Sequence, residues 1–255
     1  MAQARPYYAD KGLSAAFYDA VTAVDARLQG DIAIYDRLAV ADARVLELGC
    51  GTGRVAFALA ERGLHVTGVE IAPSMMAQAQ AKRADLPAEV AARVNLLRGD
   101  MTALDLRRTF ELVICPYFTL AHVPSGAAWR NTFATAARHL GVGGLAAFHL
   151  PLIGPMRAAA PANPDLPVLD QALEGGGRLQ LYVRERSFRE AIGRLDQVIE
   201  YVERSPDGAV LRRSRERLTY YLTDPEPLAA TAGLVRHQDP IELGGVGEIW
   251  IFRKG

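Results

Sequence analysis

The segment Val45-Leu46-Glu47-Leu48-Gly49-Cys50-Gly51-Thr52-Gly53-Arg54 constrains this chain more than any other. An apolar run feeds three glycines at alternate positions, and a helix-forming stretch follows. A strand, tight turn and helix in that order bring free backbone N–H groups together and remove the Cβ atoms that would keep a ligand away from them. A second apolar run, His65-Val66-Thr67-Gly68-Val69, ends in Glu70. A carboxylate at the end of the second strand can accept both hydroxyls of a ribose. A nucleoside is therefore expected across the ends of these two strands.

The rest of the chain fits that beginning. Short apolar runs at 44–48, 65–69, 93–98, 110–115 and 144–150 alternate with helical spacing at 53–62, 74–83 and 125–140, the pattern of βα crossovers and a mostly parallel sheet covered on both faces. Before it, residues 11–29 carry apolar positions at helical spacing and Gly30-Asp31 starts a second helical stretch with Ile32, Ile34, Tyr35 and Leu38, so residues 1–43 read as a helical cap. After it come five prolines between 151 and 167, which predict an irregular connection. Residues 178–222 show strand-like alternation folded at Ser205-Pro206-Asp207-Gly208 and read as an antiparallel meander of about three strands. A helix from Pro225 and strands near 234–239 and 248–252 close the chain. The expected fold is α/β: a Rossmann-like, seven-stranded, mostly parallel sheet with helices on both faces, spanning 44–255. The meander at 178–222 is then an insertion over the substrate side, because clefts of open α/β sheets lie beyond the carboxyl ends of the strands.

Charge narrows the partners. Lys and Arg number 29, as do Asp and Glu, leaving no net basic field to hold nucleic acid or an anionic membrane. The start, Met1 to Tyr8, lacks the apolar core of a signal peptide, and no apolar run approaches the length of a membrane span. A cytoplasmic protein is expected. Cys50 and Cys115 have no metal-type spacing, so neither a disulfide framework nor a metal site is expected. The meander holds ten arginines against seven acids; a solvated face or a homodimer contact accounts for most of them, and an anionic group on a substrate is the sharper reading.

The glycine spacing separates two kinds of nucleoside site. Dinucleotide folds favour G-x-G-x-x-G, with a pyrophosphate at the helix start; here the spacing is G-x-G-x-G, and Glu47 inside the strand suits a cationic ligand end better than a pyrophosphate. The segment resembles motif I of class I S-adenosylmethionine (SAM)-dependent methyltransferases. The similarity continues through Glu70-Ile71-Ala72-Pro73-Ser74-Met75-Met76, Arg98-Gly99-Asp100-Met101, Phe110 to Tyr117, and Leu140-Gly141-Val142-Gly143-Gly144. The resemblance implies that Glu70 holds the ribose, that Ile71 and Met75 pack on the adenine, and that Asp100 and the backbone of Met101 bind its edge. It implies further that Gly49 and Gly51 pass close to the methionine half, that Glu47 acts on the ammonium side, and that Arg54 and Tyr18 are candidates for the carboxylate. Cys50 and Cys115 would be small residues beside the cofactor. In related small-molecule enzymes the helical lead-in lies over the cofactor, which keeps Tyr18 and Asp31 among the site residues.

Two departures bear on the substrate. Val142 stands where family members often have Pro, ahead of the fifth strand. The fourth strand ends in Cys115-Pro116-Tyr117-Phe118, whereas methyltransferases of nucleic-acid amino groups or glutamine carry Asn/Asp-Pro-Pro-Tyr/Phe; those substrates are set aside. The expectation is methyl transfer to N or O of a small-molecule acceptor, amino-sugar-like or another metabolite, with S-adenosylhomocysteine (SAH) as product. Methyl transfer from a sulfonium depends mainly on positioning, so catalytic residues are few: His122 as a base and Tyr117 as a substrate wall, each weighed against an ordinary loop or packing role. His149 reads more simply as structural. The rival classes are a non-catalytic SAM-binding scaffold and an NAD(P)-dependent oxidoreductase, the latter disfavoured by the glycine spacing.

Overall fold

A computed structural model describes residues 4–9 and 11–255; Met1-Ala2-Gln3, part of the signal-peptide reading, lies outside them. The chain divides into two compact units: Asp25–Leu152 with Thr223–Gly255, and Met1–Val24 with Ile153–Leu222. The helical lead-in of residues 1–43 is thus shared between the two.

The larger unit runs α1 (Asp31–Leu38), β1 (Arg44–Leu48), α2 (Arg54–Ala60), β2 (His65–Glu70), α3 (Pro73–Ala84), the single turn α4 (Ala88–Ala91), β3 (Val94–Arg98), β4 (Phe110–Cys115), α5 (Ala127–His139) and β5 (Leu140–Pro151). It resumes with α6 (Glu226–Ala230), β6 (Leu234–Arg236), β7 (Ile241–Leu243) and β8 (Gly247–Lys254). The sheet order is β6-β8-β5-β4-β1-β2-β3, the expected seven strands, with short β7 paired to β8 as an eighth. Strands β1 to β5 pair in parallel and β8 is antiparallel to β5, with Ile249 opposite His149. Central strands are apolar on both sides because helices cover both faces. Val45, Leu112, Ile114, Ala147, Ile249 and Ile251 meet Val55 and Leu59 of α2 in one core.

The lead-in is more broken than its periodicity predicts. Two short helices, Leu13–Ala16 and Tyr18–Ala23, give way to a 3₁₀ turn at Ala26–Leu28 before α1. The cause is local: the Asp25 carboxylate accepts the Arg27 backbone N–H at 3.0 Å, an Asx-type bond that competes with the helical ladder.

The smaller unit is built on a five-stranded sheet in the order 5–6, 210–221, 194–204, 178–189, 169–172. The three long strands are the expected meander; Leu169–Ala172 and the parallel pair Arg5–Pro6 extend it on either side. Leu13, Leu179, Leu181 and Tyr201 form its core. The proline-rich connection holds one helical turn, Ile153–Arg157, with Pro155 in its first turn, where a missing N–H costs nothing. Much of the arginine excess is consumed inside this sheet: Arg184 and Arg215 pair with buried Glu200, Arg189 and Arg194 with Asp196, and Arg212 with Glu203.

Candidate active site

The carboxyl ends of β1, β2, β3 and β4, with the last residues of β5, converge in the larger unit. After β1 the chain turns through Gly49, Gly51 and Gly53 at φ of 74°, 56° and 89°, a left-handed region in which other residues are strained. Gly49 is fixed by space as well: a Cβ there would stand 2.2 Å from Thr119 Cγ2. The turn is tied to β2 by the N–H groups of Gly49 and Cys50, which both donate to Val69 O, at 2.8 and 3.0 Å. Cys50 is buried against Gly68, where a Cβ would come within 2.8 Å of its Sγ. Burial pushes its thiol, like that of Cys115, upward and keeps both unreactive.

Glu70, the last residue of β2, is buried, and its carboxylate accepts the backbone N–H of Gly51 at 3.0 Å and of Ala72 at 2.7 Å. Its orientation is therefore set by the glycine turn itself. Ile71, next along, is 60% exposed at the rim, while Met75 on α3 is buried. Asp100 is exposed beyond β3, with one carboxylate oxygen taking the Thr102 N–H and hydroxyl at 2.8 Å each, and Met101 is partly exposed beside it.

Glu47 points into the protein from the middle of β1. It is 2% exposed, and its Oε2 has no hydrogen-bond partner. Burial lifts its pKa from the ordinary 4.5 to about 8; Asp31 and Glu70 push it further up, Arg54 opposes them, and the Ala56 N–H lends a hydrogen bond. Arg54 itself is held by Asp31 of α1, with Nη1 to Oδ1 at 3.0 Å and Nη2 on Oδ2. The candidate for a ligand carboxylate is thus already joined to a buried acid. Tyr35, fully buried on α1, has a hydroxyl without a hydrogen-bond partner, and burial with the charges of Asp31 and Glu47 raises it well above the usual phenol range.

Beyond β4 the backbone takes two successive left-handed residues, Tyr117 at φ 48° and Phe118 at φ 60°, a strained pair at the mouth of the sheet. The Tyr117 hydroxyl donates to Asp25 Oδ2 at 2.8 Å and accepts from Arg27 Nη2 at 3.3 Å. Arg27 Nε reaches both Asp25 oxygens, at 2.6 and 2.9 Å. Burial raises the Asp25 pKa, yet the Arg27 bonds and charge and the Tyr117 bond outweigh it and hold it below the usual carboxylate value. His149 lies 4.6 Å from Phe118 between ring centroids, and a Cβ at Gly247 would intrude to 2.5 Å from its Nε2. It is 0% exposed, both ring nitrogens lack partners, and burial lowers its pKa to about 4. His122 closes the 3₁₀ turn Thr119–His122, half-buried, and burial lowers it to about 4 as well.

Of the residues expected from sequence, Glu47, Gly49, Cys50, Gly51, Arg54, Glu70, Ile71, Met75, Asp100, Met101, Cys115, Tyr117 and His122 all lie in this unit. Tyr18 belongs to the smaller unit, its ring 5.8 Å from that of Tyr8. Asp25, Arg27 and Tyr35 were missed. The Asp25-x-Arg27 spacing signals a local turn, but nothing in sequence ties it to Tyr117. Among the described residues no three metal-type side chains come together, and no helix is long and apolar enough to cross a membrane.

Residues 45–144 match the family described as Methyltransferase domain. A Geobacillus sp. (strain WCH70) protein with a methyltransferase assignment is 32% identical over 143 residues, 56% of this chain and 54% of that protein. The ubiquinone biosynthesis O-methyltransferase of Xylella fastidiosa (strain 9a5c) is 34% identical over 95 residues, 37% of each chain. The chain thus spans about half or less of the curated relatives it matches. Among solved structures, the CcbJ methyltransferase from Streptomyces caelestis matches with a TM-score of 0.69 at 23% identity, over 91% of this chain and 90% of that one. SAM-bound CalS10, an amino pentose methyltransferase from Micromonospora echinaspora, gives 0.68 at 22%, over 93% and 96%. The fold is that of class I methyltransferases. The resemblance read from the glycine turn agrees with this: residues 45–144 match a methyltransferase-domain family, and the solved structures share the fold.

Proposed function

We propose that this protein uses SAM to methylate a nitrogen or oxygen of a small-molecule acceptor, releasing SAH. The observation that carries the reading is Glu70, a buried carboxylate held at the rim of the glycine turn by the Gly51 and Ala72 N–H groups. The surroundings fit the cofactor: the turn is free of side chains at Gly49 and Gly51, Ile71 offers an exposed apolar surface, and Glu47 keeps an unpartnered buried oxygen for a cation. In this reading Glu70 holds the ribose, Ile71 and Met75 the adenine, and Asp100 and Met101 its edge. Gly49, Gly51 and Cys50 line the methionine half, Glu47 meets the ammonium, Cys115 fills space at the end of β4, and Arg54 serves the carboxylate end.

Bound SAM supplies a methyl group already activated by its sulfonium. The chain has only to orient a nucleophile and exclude water. Tyr117, anchored by Asp25 and Arg27, presents a phenol oxygen that can take a hydrogen bond from an acceptor amine or hydroxyl. His122 is neutral near pH 7, and with a pKa of about 4 it suits orienting the acceptor better than full proton abstraction. That CalS10 is an amino pentose methyltransferase and the Xylella relative an O-methyltransferase supports a small amine or hydroxyl acceptor.

A thermal-shift comparison tests the cofactor. SAM or SAH at about 100 times the dissociation constant should add about 2.7 kcal/mol, and stabilisation by NAD(H) alone would sink the proposal. Release of SAH from SAM with a panel of small amines and alcohols then separates an enzyme from a scaffold.

A further inference from the structure

Glu47 is held in a place that opposes its own charge. Arg54 and Ala56 face it from α2, Asp31 and Tyr35 from α1, Glu70 from the end of β2, Cys50 from the glycine turn and Cys115 from β4. The one cation in that set, Arg54, is already bound by Asp31 through two contacts. With Asp31, Glu70 and Glu47 all ionised, three carboxylates would share one guanidinium. Taking the third charge out of water without a partner costs several kcal/mol. The unpartnered Oε2 is what such a site leaves behind.

We infer that Glu47 selects for a charged ligand end, giving up its proton when the ammonium of SAM or SAH enters, so that cofactor binding and proton release are one event. The inference rests on the methyltransferase reading and deepens it. In the exchange the carboxylic O–H bond breaks, the proton passes to bulk buffer, and a carboxylate–ammonium pair forms in place of a neutral acid. The burial that raises the pKa to about 8 makes the exchange visible near neutral pH. A ligand carrying the nucleoside without the amino-acid end has nothing to exchange.

Calorimetric titration of the full chain with SAH, run at one pH in phosphate and in Tris, reads the proton directly, because the two buffers differ in ionisation heat. About 0.9 proton should be released per ligand near pH 7, falling toward zero at pH 9 and above. Affinity should drop up to about tenfold for each unit of pH below 8. Glu47→Gln should bind SAH more weakly, with no release and a flat pH profile, and 5′-methylthioadenosine should release none from the wild type. Heats independent of buffer in wild type, or release that persists in Glu47→Gln, would overturn the inference. If neither SAM nor SAH binds the wild type at any pH, the methyltransferase reading fails, and this inference with it.

Discussion

The carboxylate of Glu70 accepts the N–H of Gly51 at 3.0 Å, across the gap between two neighbouring strand ends. One bond thus sets both the acid and the glycine turn. Glu70→Ala should weaken SAH binding by about 1.5 to 3 kcal/mol, from the lost ligand bonds and the freed turn. The fold should remain. Titration calorimetry beside a circular dichroism melt checks both; unchanged affinity in a folded variant would move the ribose elsewhere.

Gly49→Ala should cost stability, at least about 2 kcal/mol, because a Cβ meets Thr119 Cγ2 at 2.2 Å while the backbone holds φ at 74°. Adding Thr119→Ser removes that methyl and should recover part of the loss, with the φ cost remaining. Urea unfolding of the two variants and the double variant resolves the steric share.

Ligand-free stability should peak near pH 6 to 6.5. His149 and His122 are depressed from 6.5 to about 4, so their contribution is full above 6.5 and lost as pH falls through that window. Glu47 is raised from 4.5 to about 8, so its contribution is full below 4.5 and lost as pH rises toward 8. Each limb is on the order of 3 kcal/mol. Melting temperature against pH should show the dome. Glu47→Gln should flatten its alkaline side and stabilise the ligand-free protein at pH 8, and His149→Leu should flatten part of the acid side.

Tyr117→Phe removes the phenol that Asp25 and Arg27 hold. With an acceptor identified by SAH release, kcat should fall about tenfold or more while SAH affinity stays near wild type. Equal loss in both would instead make Tyr117 part of the cofactor site.

The sheet and the glycine turn were legible because local patterns dictate them: apolar runs of strand length, glycines where φ is positive, and Glu70 at a strand end. Residues 44–48 and 110–115 fell where β1 and β4 lie. The polar interior was harder. Asp25 and Tyr117 are brought together by tertiary packing across 92 positions, and no periodicity encodes that. His149 looked like any strand histidine, because the loss of both its partners depends on Phe118 and on the Gly247 niche. The contact of Arg54 with Asp31 was equally hidden, since helix phase alone does not say which neighbouring helix comes near.

The smaller unit is assembled from two stretches, Met1–Val24 and Ile153–Leu222, with Asp25–Leu152 between them. On a ribosome its first piece emerges long before its second. Arg5–Pro6 cannot pair with 210–221, nor Leu13 reach Leu179, Leu181 and Tyr201, until most of the chain has been made. The larger unit waits too, because β8, which lies between β5 and β6 in the sheet, follows both in the chain. Until β8 has emerged, the nascent chain therefore carries apolar faces uncovered. Truncation within β8 should leave β5 and β6 without the strand that joins them, and yield in a cell should then depend on chaperone supply.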